Sequence, residues 1–137
     1  MYLINQRSSY DSSVRLFDMR KPLIPIVQTD VGGGAWRVKW HPSPARSRDL
    51  LVACMHDGFK ILRFGADTIN GDPVSVATGD GKKGNNEEDQ WQLIARFDKH
   101  GSLAYGVDWS FSAGDNGGGT LIGSCSFYDH LLHMWRG

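Results

Sequence analysis

The five histidines and a glycine triplet are the places where this chain could do chemistry. His56 and His130 sit in polar turns, where an imidazole titrating near neutral pH can act as a general base. Gly33 and Gly34, within GGGAWRVKWHP (32–42), carry bare backbone N–H groups that could face a developing oxyanion. His100 and Asp129 together would supply half of a Ser-His-Asp triad. Neither GxSxG nor zinc-ligand spacing is present, so the sequence supports neither a hydrolase elbow nor a metal centre. The glycines could also open a phosphate loop, but that use requires a helix to follow them. Here Trp36, Arg37, Val38, Lys39 and Trp40 alternate apolar and basic with period two, so the glycines lead into a strand. GDGKKG (79–84) is a formal GxGxxG, yet it precedes Asn85, Asn86, Glu87, Glu88 and Asp89 rather than an apolar helix, as chance produces in a glycine-rich linker.

The elements that must position these residues read as strands. Segments 14–17, 23–27, 36–40, 50–55, 59–64, 91–97, 103–109, 121–126 and 131–135 are strand-like, separated by turn residues, and none carries a helical period. With 137 residues, 40% of them apolar and 11% aromatic, the chain can bury a core. Fifteen basic residues balance fifteen acidic ones, which leaves no nucleic-acid footprint and no electrostatic membrane anchor. The longest apolar run, 50–55, is too short to cross a bilayer, and residues 1–7 lack the regions of a secretory signal, so a cytoplasmic address is expected. Cys54 and Cys125 lie far apart inside strand patterns and are expected as buried free thiols in a reducing compartment.

The strands repeat. SSYDSSVRLFD (8–18) matches SFYDHLLHMWR (126–136) without a gap, setting Asp11 on Asp129, Val14 on Leu132 and Phe17 on Trp135. MHDGFKILRF (55–64) fits with one residue missing, and AWRVKWHP (35–42) aligns with AYGVDWSF (104–111). Discounting segment 65–90, a polar glycine-rich stretch expected as an exposed loop, the period approaches the roughly 40 to 45 residues of a WD-repeat blade. The fold expected is therefore all-β, a WD-repeat β-propeller fragment of about two and a half four-stranded blades. Residues 1–30 would end one blade, 31–98 would form a complete blade with the loop insertion 65–90, and 99–137 would supply strands a to c of a last blade. A ring needs about four blades or more, so a C-terminal fragment is expected.

The final unit most resembles a WD repeat. In that family a loop histidine, a strand serine or threonine, a turn aspartate and a tryptophan form a buried structural network, here His100, Ser124 or Ser126, Asp129 and Trp135. That gives His100 and Asp129 a structural role in place of a catalytic one. The middle unit has Val31 at the histidine position and no tryptophan in 59–64, so His56 and Asp57 are not expected to be held by this network. His133 is expected at the surface or between blades.

GGGAWRVKWHP, LLVACMHDGFKILRF, SLAYGVDWS and SCSFYDHLLHMWRG, in this order, resemble the C-terminal part of the diphthine methylesterase family, WD-repeat proteins of diphthamide biosynthesis. The resemblance implies a carboxylic ester hydrolase without cofactor, which cleaves the methyl ester on the modified histidine of translation elongation factor 2, leaving a carboxylate. His56 would then be the base, with His130 as second candidate, and Gly33 and Gly34 the oxyanion donors. The substrate also bears a quaternary ammonium, for which Trp36 and Tyr128 are the candidate aromatic contacts. Because Tyr10 and Tyr128 share a repeat position, packing at the turn is the alternative for that tyrosine. The competing expectation is a non-catalytic WD scaffold or substrate adaptor that presents its rim to protein partners.

Overall fold

The computed structural model describes residues 4–7, 10–70, 90–112 and 118–137. Among them are ten strands: β1 (Ile4–Arg7), β2 (Ser13–Asp18), β3 (Pro25–Asp30), β4 (Arg37–Trp40), β5 (Asp49–Ala53), β6 (Phe59–Phe64), β7 (Trp91–Phe97), β8 (Gly106–Trp109), β9 (Leu121–Ser126) and β10 (Leu131–Arg136). They form three antiparallel meanders, β1-β2-β3, β4-β5-β6-β7 and β8-β9-β10. The architecture is all-β, and three meandering sheets stacked face to face are what a partial β-propeller presents.

The second sheet is the slab between two cores. All five residues of β5 are buried because it is a middle strand covered on both faces. Its Leu50 and Val52, with Leu62 and Phe64 of β6, pack against Val14, Leu16 and Val27 of the first sheet. On the other face, Leu51 and Ala53, with Phe59 and Ile61, pack against Val107, Trp109 and Ile122 of the third. Strand period two thus sends alternate residues into alternate cores.

At the rim where β5 begins, the fully buried Asp49 accepts from Arg46 Nε (2.7 Å) and from Arg63 Nε and Nη2 (2.6 and 2.8 Å). Burial works against its charge, but the hydrogen bonds from Arg63 and Arg46 outweigh this and hold the carboxyl below its ordinary range. Arg46 Nη1 also donates to the Gly137 carbonyl (2.8 Å), and Trp109 Nε1 to the Lys39 carbonyl (3.0 Å), which ties the second sheet to the third.

Several sequence expectations need correction. Strand β1 was not anticipated, since INQR has a single apolar residue and no alternation to display. Strand β3 starts at Pro25 and not at residue 23, because Leu23 and Ile24 are exposed in the preceding turn and proline, lacking an N–H, suits a strand's first position. Residues 54 and 55 leave the β5 ladder: the Cys54 amide bonds the Gly58 carbonyl, and Met55, with φ 35°, bridges to Ala104. The segment expected as loop opens with a short helix, α1 (Ala66–Asn70), whose Ile69 packs on the first core. The rest of that segment, with GDGKKG, lies outside the described residues. Cys54 is buried as expected, but Cys125 is exposed, because among the described residues no sheet covers its face of β9.

Candidate functional site

One rim collects the turns that the sequence singled out: residues 31–36 before β4, 54–58 between β5 and β6, 98–105 before β8, and 127–130 between β9 and β10. Gly32, at φ 83°, occupies a conformation that favours glycine, and a Cβ there would come within 2.1 Å of Asp57 Oδ2. At Gly33 a Cβ would meet the Cys54 carbonyl oxygen at 2.2 Å, and at Gly34 the Met55 sulfur at 2.7 Å. Both glycines are buried. Their close backbone approach is made to the 54–57 turn of their own sheet, and neither lines the cavities of this rim described below.

Asp57 anchors that turn. It accepts from Lys60 Nζ and Arg96 Nη2, each at 2.6 Å, while Lys60 Nζ also donates to the Val31 carbonyl (2.6 Å). The Lys60 hydrogen bond, reinforced by Arg96 against the cost of partial burial, holds the Asp57 carboxyl below its ordinary range. Lys60 therefore bridges where Val31 leaves no imidazole. Sequence reasoning missed it, although a lysine inside the apolar run FKILRF, three residues after an aspartate, was a visible signal.

His56 is exposed beside this turn and lines a cavity of about 510 Å³ with Arg96, Asp98, His100 and Ser102. Among the described residues its ring has no hydrogen-bond partner, so nothing here fixes the tautomer or aim that a general base requires. His130 has φ 56° in the β9–β10 turn, with its ring 6.2 Å from Phe127, and does not line this cavity.

In the third sheet His100 Nδ1 lies 2.8 Å from Asp129 Oδ2, His100 Nε2 lies 3.0 Å from Ser124 Oγ, and Trp135 Nε1 donates to that same Oγ at 3.2 Å. One proton order satisfies every member: Trp135 to Ser124, Ser124 to His100, His100 to Asp129. Burial opposes the Asp129 charge, but the Leu131 amide, His100 and the Gly101 amide outweigh it and lower the carboxyl. The serine, histidine and carboxylate have triad connectivity, yet Ser124 is 1% exposed and its oxygen already accepts from tryptophan, so no substrate carbonyl can reach it. Ser126 is absent from this chain of bonds, and its buried hydroxyl has no partner among the described residues. His133 is half-buried between sheets, with its ring centroid 4.5 Å from that of His100.

Beyond the Met55–Ala104 bridge the rim turns aromatic. Trp36, 43% exposed, makes edge contacts with Tyr10 (5.7 Å, 73°) and Tyr105 (5.3 Å, 81°), and Tyr105 lies 6.1 Å from Tyr128. Trp36, Tyr105, Phe127 and Tyr128, with Arg37, Gly106 and Cys125, line an open cleft of about 500 Å³. Tyr128 is 60% exposed and Tyr10 76%, so neither is consumed by packing at its turn. Tyr105 was not among the expected residues, although the alignment of AWRVKWHP with AYGVDWSF sets it on Trp36. Partial burial, then neighbouring Tyr128, raises the Tyr105 phenol above its ordinary value. Convergent aromatic rings at an open rim can hold an alkylammonium group through cation–π attraction.

Comparison with known proteins gives this rim a context. The chain is 39% identical over 129 residues to a diphthine methyltransferase homolog of Dictyostelium discoideum, covering 93% of this chain and 30% of the relative. It is 36% identical over 103 residues to the diphthine methyltransferase of Homo sapiens, covering 75% of this chain and 19% of the relative. With the diphthine methyltransferase of Saccharomyces cerevisiae the identity is 30% over 145 residues, covering 93% and 30%. This chain is similar to diphthine methyltransferases. The chain spans under a third of each of these relatives' length. The matches correct the expected reaction. The relatives are named for transfer of a methyl group, the opposite of methyl-ester hydrolysis, so the assignment as an esterase or hydrolase is withdrawn. No family model matches the chain, and no solved structure matches it.

Proposed function

We propose that this chain is the propeller segment of an enzyme of diphthamide biosynthesis that acts on the diphthine side chain of translation elongation factor 2, and that the aromatic cleft recognises that side chain. The observation that carries this is the convergence of Trp36, Tyr105 and Tyr128 around one open cleft. Diphthine bears a quaternary ammonium, a cation that cannot donate a hydrogen bond and is held instead by aromatic faces, each contributing about 0.5 to 2 kcal/mol. The relatives are named for methyl transfer and diphthine, which supports this reading. The cleft supplies a physical reason for this part of the molecule to touch it.

The test is binding of the full-length protein to elongation factor 2 with and without the diphthine modification, repeated with Trp36→Ala and Tyr105→Ala. Modification-dependent binding, weakened by about 3- to 30-fold in either variant, is the expected result. Equal binding of modified and unmodified factor, indifferent to both substitutions, would favour the scaffold or adaptor role.

A further inference from the structure

Among the described residues, the cleft holds one cation without a counter-charge. Strand β4 runs beside β8, and Lys39 on β4 reaches Asp108 on β8 at 3.1 Å. Two residues earlier on each strand the pair is Arg37 and Gly106, both lining the aromatic cleft. Glycine offers no carboxylate there, and a Cβ at Gly106 would come within 2.4 Å of Cys125 Sγ, so a larger residue would need that thiol to turn away. Arg37 is exposed, and its side chain has no ion pair or hydrogen bond among the described residues. Among the described residues, the only charged side chain lining the cleft is therefore a guanidinium adjacent to Trp36.

An unpaired guanidinium is a poor feature of a site meant for a bare cation, since it repels the ligand. It suits a ligand that carries an anion as well, because guanidinium donors match a carboxylate in a planar, two-pronged fork. We propose that Arg37 is the carboxylate anchor of the cleft and selects zwitterionic ligands, in which a quaternary ammonium and a carboxylate belong to one group, over simple quaternary cations. This rests on the aromatic cleft being the recognition site, and it adds a specificity-determining residue to that site.

Betaine and choline separate the two ideas, since both carry trimethylammonium and betaine alone adds a carboxylate. Binding of each to the full-length protein is measured by calorimetry at fixed ionic strength, for wild type, Arg37→Gln and Trp36→Ala. Wild type is expected to prefer betaine by on the order of tenfold, Arg37→Gln to lose that preference while choline binding holds or improves, and Trp36→Ala to weaken both. A betaine preference undiminished in Arg37→Gln would overturn the role of Arg37 while leaving the aromatic cleft intact. Binding of both probes that is undetectable in wild type, or unchanged in Trp36→Ala, would remove the cleft as a recognition site and the anchor with it. Arg37 is exposed at the first position of β4, so equal melting temperatures for wild type and Arg37→Gln check that the fold is unchanged.

Discussion

Asp57 in the second sheet and Asp129 in the third stand at the same β-turn of two repeated units, yet their partners differ in kind. Asp57 is held by two cations, Lys60 and Arg96, whereas Asp129 is held by the His100 imidazole and the Leu131 and Gly101 amides. The surroundings differ as well. The second sheet is packed on both faces, while the third packs only its Val107, Trp109 and Ile122 face among the described residues and exposes Leu132 and Met134 on the other. A turn carboxylate must be satisfied in either case, and which donor does so depends on what its neighbours supply: an imidazole at His100 for Asp129, and for Asp57 the Arg96 guanidinium with the Lys60 ammonium, which also donates to the Val31 carbonyl.

The largest effect should come from the doubly covered sheet. Leu51→Ala is expected to destabilise by about 2 to 5 kcal/mol, since the second and third sheets both line the cavity it would leave. Met134→Ala, on the uncovered face and 58% exposed, should stay within about 0.5 kcal/mol. Denaturant unfolding of both variants measures the contrast. Similar losses at the two positions would show that the outer face of the third sheet is covered in solution.

Next are the two networks themselves. Ser124→Ala leaves the Trp135 N–H and the His100 nitrogen without their shared partner in a buried place and should cost about 1 to 3 kcal/mol. Lys60→Met should cost less, about 1 kcal/mol, because Asp57 keeps Arg96 and is partly open to water. If Lys60→Met proves the more costly, the lysine holds the 31–34 segment through the Val31 carbonyl more than it neutralises Asp57.

The sequence made these differences only partly legible, for physical reasons that vary by residue. The runs around Leu51 and Ile61 announce strands because burial on both faces favours apolar residues, and the His100–Asp129–Trp135 spacing is visible because a fixed turn imposes it. Lys60 was hidden because a buried lysine needs acceptors, Val31 O and Asp57, that only the fold brings together. Tyr105 could be inferred from its repeat position, but its closeness to both Trp36 and Tyr128 depends on how neighbouring sheets stack. The oxyanion role of Gly33 and Gly34 could not be weighed from the sequence, since nothing in it shows that the Cys54 carbonyl fills the space beside Gly33.

The pH dependence sharpens the contrast between the turns. The folded state lowers the Asp57 carboxyl chiefly through Lys60, so this contribution is present above the unfolded carboxylate pKa and is lost as pH falls through the folded one. The stability gap between wild type and Lys60→Met should therefore be constant near neutrality and narrow below about pH 4. A gap that persists unchanged into that range would assign the lysine's contribution to its bond with the Val31 carbonyl alone.

The smallest effect tests coverage without perturbing it. Burial pushes the Cys54 thiol up to about 12, whereas Cys125 is exposed on the uncovered face. An alkylating reagent at about pH 8 should modify Cys125 in the native protein and Cys54 only after unfolding, because the thiolate is the reacting form and must be reachable. Mass spectrometry of the digested protein distinguishes the two sites. Replacing Cys125 with serine should change stability by no more than about 0.5 kcal/mol. Protection of Cys125 in the native protein would show that further structure covers this face of β9. That thiol also fills the space beside Gly106 and lines the cleft with Arg37, so its protection would report on access to the cleft as well.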